Sequence, residues 1–67
     1  MIEVTVNGER RSVAEGTTLK LLLEEVGLAE RPVVCELNLS IVSRSDWGTT
    51  ALSPGDRVEI IGFVGGG

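Results

Sequence analysis

An α+β domain in two layers, a mixed sheet of about five strands backed by one short helix, is the fold class this sequence predicts. Three observations carry it. "MIEVTV" alternates apolar and polar residues at period two, the pattern of a half-buried strand. "LKLLLEEV" then places Leu19, Leu22, Leu23 and Val26 at i, i+3, i+4 and i+7, one stripe of a helix. Three more strand-like runs follow with no second helical stretch, and one helix can cover one face of one sheet.

Each element has its own local cause. In the first strand Ile2, Val4 and Val6 share a face, and Asn7-Gly8 follows as the preferred pair for a two-residue type I′ hairpin. "ERRSV" returns as a charged strand, suited to an exposed sheet edge. Thr17 or Thr18 can cap the start of the helix, and Gly27 can end it at the residue after the C-cap. At about two and a half turns the helix is too short to stand alone. "RPVVCELN" is a third strand with Val33, Cys35 and Leu37 on one face and Val34, Glu36 and Asn38 on the other. A short fourth strand centres on Ile41-Val42. "SDWGTTALSPGD" is irregular, with Pro54-Gly55 marking a turn, and "RVEIIGFV" is the last strand. If the first and last strands are neighbours, they run parallel through a crossover.

Bulk composition narrows the function. The 67 residues make one domain, 42% hydrophobic and 24% charged, which is too apolar for a disordered chain. The net charge of −4 argues against nucleic acid, since the six basic residues are scattered and phosphate binding needs them clustered. An acidic surface favours a partner with a basic docking site. No apolar run reaches the roughly 20 residues that cross a bilayer, so no membrane role is expected. The first residues carry no basic n-region and are not read as a signal peptide; the cytoplasm is the default location. There is no His, no Tyr and a single Cys, which removes the commonest general base, the commonest metal ligand and any cysteine cluster.

The candidate working parts lie at the end of the chain. A domain over residues 1–64 is followed by Gly65, Gly66 and Gly67, three residues that cannot pack and are expensive to order. Fully extended they reach roughly 11 Å, at about 3.6 Å each. Such a tail can enter a slot that excludes side chains, with an ionised carboxylate leading, and it is expected to be mobile in the free protein. Against this stands a frayed terminus or cloning remnant. Just before the tail, Ile61 and Phe63 fall on the face that Arg57 and Glu59 mark as solvent-facing, so both are partner-docking candidates. Alternatively the loop bearing Trp47 folds over them. Cys35 is placed in the core, Trp47 over one end of the core, Leu21 at its periphery, and Glu24-Glu25 on a solvated face.

Taken together, "MIEVTVNGE", "LLLEEVGL", "CELNLSIVSRSDW" and "SPGDRVEIIGFVGGG", in this order and at this length, closely resemble the ThiS-type sulfur carrier proteins of thiamin biosynthesis. The resemblance covers essentially the whole chain. It implies a β-grasp, ubiquitin-like fold with strands one and five as the parallel central pair. It also implies no resident cofactor, no metal and no catalytic residue. An E1-like adenylating enzyme uses ATP to activate the carboxylate of Gly67. Sulfur from a source such as a cysteine desulfurase then replaces AMP, leaving a C-terminal thiocarboxylate that serves thiazole synthase. Gly66 and Gly67 carry over as the functional pair, and Gly65 as tail.

Two positions depart from the family pattern. The turn that in relatives commonly reads Asn-Gly is here Asn38-Leu39, and because Leu disfavours positive φ a longer or differently shaped turn is expected. Ser43 stands where relatives often have Pro. Neither touches the tail. The rival readings are a carrier for molybdopterin, cysteine or another sulfur metabolite, and a protein modifier conjugated through the same Gly-Gly end. A small independent enzyme has no acid–base constellation behind it.

Overall fold

The computed structural model of the chain describes residues 1–62. Strand β1 (Ile2–Val6) and strand β2 (Glu9–Val13) form the expected hairpin, closed by the Val6–Glu9 pair. Asn7 and Gly8 take φ of 48° and 86°, both left-handed as a type I′ turn requires.

Helix α1 (Leu19–Glu25) buries Leu19, Leu22 and Leu23 of the predicted stripe, while Val26, its fourth member, is the C-cap and only partly buried. Thr18 is the N-cap, and its hydroxyl oxygen accepts the Leu21 N–H at 3.2 Å. Thr17 is instead buried and donates its hydroxyl to the Ala14 carbonyl at 2.7 Å. Gly27 stops the helix as expected. At φ 78° its N–H donates to Glu24 O while the Leu28 N–H reaches back to Leu23 O, the paired bonds of a Schellman motif.

Strand β3 (Val33–Leu37) and strand β4 (Ser40–Val42) form a second hairpin, and strand β5 (Arg57–Gly62) runs between the two. The order across the sheet is β2-β1-β5-β3-β4. The β1–β5 pair is parallel and every other pair antiparallel. This mixed five-stranded sheet on one helix is the β-grasp arrangement. The parallel β1–β5 pair needs a long crossover, and α1, β3 and β4 lie between its strands in sequence, the chain returning to β5 past the start of α1. That crossing is stitched to the start of α1, where Leu19 N–H donates to Thr50 O at 3.0 Å and Leu52 N–H to Thr17 O at 2.8 Å.

Three expectations need correction. The turn between β3 and β4 is not long: Leu37 pairs with Ser40, and Asn38 and Leu39 turn the chain alone with φ of 50° and 73°. Leu39 therefore sits where its Cβ crowds the backbone, at a cost of about 1–2 kcal/mol. The register compensates, because it brings Val42 against the core and lets Asn38 bond β5. Asn38 itself consequently leaves the strand rather than continuing the Val34–Glu36 face. Lastly, residues Arg44–Thr49 are not irregular but form a 3₁₀ helix.

The core lies between the sheet and α1. Val4, Val13, Leu19, Leu22, Leu23, Cys35 and Val58 are fully enclosed, with Ile2, Ile60, Trp47 and Leu52 around them. Trp47 closes one end as predicted, 2% exposed, with Nε1 donating to Val42 O at 2.9 Å. Arg44 clamps this corner: its guanidinium donates to the Ala29 and Arg31 carbonyls and lies 4.3 Å from the Trp47 ring centroid. Leu52 belongs to the core although no periodicity marks it. The Pro54-Gly55 turn is present, with Gly55 at φ 84° and Asp56 N–H donating to Ser53 O.

Candidate functional site

β5 is the strand from which the glycine-ended segment departs, and two neighbours hold it. On one flank it pairs with β3 from Val58↔Leu37 to Gly62↔Val33. On the other it pairs with β1 only at Arg57↔Thr5 and Val58↔Val6. Along it Val58 and Ile60 face α1 and are buried, whereas Arg57, Glu59 and Ile61 face the open side of the sheet.

The open side carries a small apolar group beside a like-charge pair. Ile61 lies directly opposite Val34 on β3 and is 48% exposed. Glu59 lies opposite Glu36, and Glu36 opposite Ile41 on β4, which is 70% exposed. Two carboxylates directly across a strand pair destabilise a sheet. Trp47 does not cover Ile61, because it is buried on the helix side; the loop-cover alternative fails for this residue. Phe63, Gly65, Gly66 and Gly67 lie outside the described residues, as does the boundary drawn after residue 64.

Two asparagines bracket β5, one from each flanking hairpin. Asn7 accepts the Ile60 N–H through Oδ1 at 2.7 Å and donates Nδ2 to the Ile60 carbonyl at 3.3 Å. Asn38 accepts the Arg57 N–H through Oδ1 at 2.9 Å, donates its own N–H to Arg57 O at 2.8 Å, and donates Nδ2 to Asp56 at 3.0 Å. Sequence reasoning found Asn7 through its turn and missed these bonds. Nothing local signals a partner 53 positions away.

Cys35 is enclosed opposite Ile60 and Val42, as predicted. Burial pushes its thiol above the ordinary value of 9.0, and the charge of Glu36 adds to the rise. A thiol so held is not a nucleophile at neutral pH. Among the described residues no three His, Cys, Asp or Glu side chains converge on a possible metal position. A cavity of about 430 Å³ opens beside Lys20, Glu30, Arg44 and Trp47, away from β5, and the Arg44 donors that face it are already spent on backbone carbonyls. No helix among these residues is long and apolar enough to cross a membrane.

Comparison with known proteins places this arrangement. The crystal structure of the thiamine biosynthesis protein ThiS from Geobacter metallireducens superposes with a TM-score of 0.83 at 35% identity, covering 98% of this chain and 100% of that one. The thiazole synthases of Paramagnetospirillum magneticum and Magnetococcus marinus are 39% and 38% identical to it over 66 residues, 98% of this chain. The chain spans only 20% of the length of each. The family model described as the ThiS family matches residues 4–67. On that match, and on the fold shared at this identity, the chain belongs to the ThiS family.

Proposed function

We propose that this chain is a sulfur carrier of thiamin biosynthesis and is not itself an enzyme. An E1-like enzyme adenylates the carboxylate of Gly67, a carboxylate oxygen attacking the α-phosphate of ATP with loss of pyrophosphate. The terminal sulfur of a persulfide, formed from cysteine by a desulfurase, then displaces AMP to give an acyl disulfide, and a second thiol cleaves it, releasing the thiocarboxylate and itself ending in a disulfide. A thiocarboxylate is more acidic than a thiol, so it is anionic and nucleophilic at neutral pH. Thiazole synthase is the acceptor. The observation that carries this reading is that the family match spans residues 4–67, the terminal glycines included. The alignment with two thiazole synthases over 98% of the chain supports the choice of acceptor.

Docking falls to the open sheet face. Ile61, directly opposite Val34, offers an exposed apolar anchor on the strand that leads to the glycines, and Phe63, outside the described residues, is the second docking candidate from the sequence alternation alone. Glu36 and Glu59 favour a partner surface with basic groups around an apolar pocket. Phe63→Ala should reduce the specificity constant for activation by roughly 30-fold, about 2 kcal/mol for a buried aromatic anchor, with little change in stability. Equal loss of binding and stability would contradict the docking role.

The functional test is intact-mass analysis after incubation with the E1-like enzyme, ATP and a sulfur source. A carrier gains the mass of one oxygen-to-sulfur exchange. Isopeptide adducts without that exchange would identify a protein modifier instead.

A further inference from the structure

We infer that Asn7 is a positioning residue for activation of the carrier, because its carboxamide serves as a surrogate peptide that extends the β1–β5 ladder to the end of β5. The inference rests on the carrier reading above.

In the parallel pair, alternate residues of β5 present their backbone groups to β1. Asp56 O accepts the Thr5 N–H, and Val58 O accepts the Asn7 N–H, each at 2.9 Å. The next residue in that row is Ile60. In an uninterrupted ladder its N–H would meet the carbonyl of residue 7 and its carbonyl the N–H of residue 9. Both are lost, because the chain reverses at Asn7-Gly8. The Asn7 side chain takes their place with one planar group that accepts at 2.7 Å and donates at 3.3 Å. β5 thereby has a partner on both flanks as far as Ile60, two residues before Gly62.

Residue 7 answers two separate demands. The turn requires left-handed φ, which Asn and Gly tolerate. The clasp requires a donor and an acceptor on a short side chain. Gly meets the first demand alone. Asp meets the first and half of the second, and it sets a carboxylate against the Ile60 carbonyl oxygen. Asn meets both. Without the clasp, β5 beyond Val58 is anchored from β3 only, and the line along which the chain leaves Gly62 loosens. A small misplacement at an active site costs rate out of proportion to stability.

Asn38 provides a matched control. It has the same residue type, the same turn position and the same strand as target, but it holds Arg57 at the far end of β5. Asn7→Gly, Asn7→Asp and Asn38→Gly would be compared with wild type by amide exchange and by steady-state adenylation with the E1-like enzyme, taking the carrier as varied substrate. Asn7→Gly should fold, expose the Ile60 amide to faster exchange, and lower kcat by about tenfold while KM changes less than twofold, since the docking face is untouched. Asn7→Asp should lower kcat in the same direction. Asn38→Gly should speed exchange at Arg57 and leave kcat unchanged. Wild-type kcat in a folded Asn7→Gly with an exposed Ile60 amide would overturn the inference. So would an unchanged Ile60 exchange rate, or equal kcat losses in Asn7→Gly and Asn38→Gly. Failure of wild type itself to be adenylated would sink the carrier reading first, and this inference with it.

Discussion

Leu39 is the residue at which local rules and the native conformation conflict. It is 78% exposed, so it contributes little burial, yet it holds φ at 73°. Leu39→Gly should stabilise the domain by up to about 1 kcal/mol, the left-handed penalty less the entropy of a glycine. A higher urea midpoint at constant m would show it; a lower midpoint would mean that Leu39 packs on something in solution. Cys35 bears a different prediction. Its raised thiol pKa means that the folded state keeps its proton where the unfolded chain loses it. Stability is therefore insensitive to this group below about pH 9 and falls as pH climbs through the folded value. Cys35→Ala should remove that alkaline loss, although the cavity lowers stability at neutral pH.

At the scale of elements, α1 and β5 carry the architecture. Leu22→Ala or Leu23→Ala should cost about 2–5 kcal/mol, since both side chains are fully enclosed. A domain of this size commands only about 3–10 kcal/mol, so such variants should lose much of their cooperative unfolding transition by circular dichroism. On the open face, Glu36→Gln relieves the carboxylate opposite Glu59 and should raise stability by a few tenths of a kcal/mol. The same change should slow association with a basic partner and flatten its salt dependence. If association is unchanged, the acidic pair has no part in docking. Most elements were legible from the chain. The alternation in β1, the Asn-Gly turn, the Leu stripe, the Gly27 stop and the Pro54-Gly55 turn each follow from local chemistry. The 3₁₀ segment was not, because it forms around Trp47 and Arg44, whose bonding partners lie in β4 and the loop before β3. Nor was the tight Asn38-Leu39 turn, whose register is fixed by Val42 and by bonds to β5.

For the whole molecule, the division of labour is between a rigid sheet and the chemistry proposed beyond it. β5 is held on one flank by β3 and on the other by β1 and the Asn7 carboxamide, and it presents Ile61 to the open side. The glycines were found in the sequence as residues unfit for any core, and the carrier role assigned to them depends on a partner's active site that no amount of folding physics in this chain displays. Removing Gly66 and Gly67 should therefore leave the thermal transition unchanged and abolish sulfur transfer. The most direct measurement is the intact mass of the chain after reaction with the E1-like enzyme, ATP and a cysteine-derived sulfur source. The product should be heavier by one oxygen-to-sulfur exchange, localised to Gly67 by fragmentation and absent when ATP is withheld. An unchanged mass with a competent partner set, or sulfur found on Cys35 instead, would contradict it.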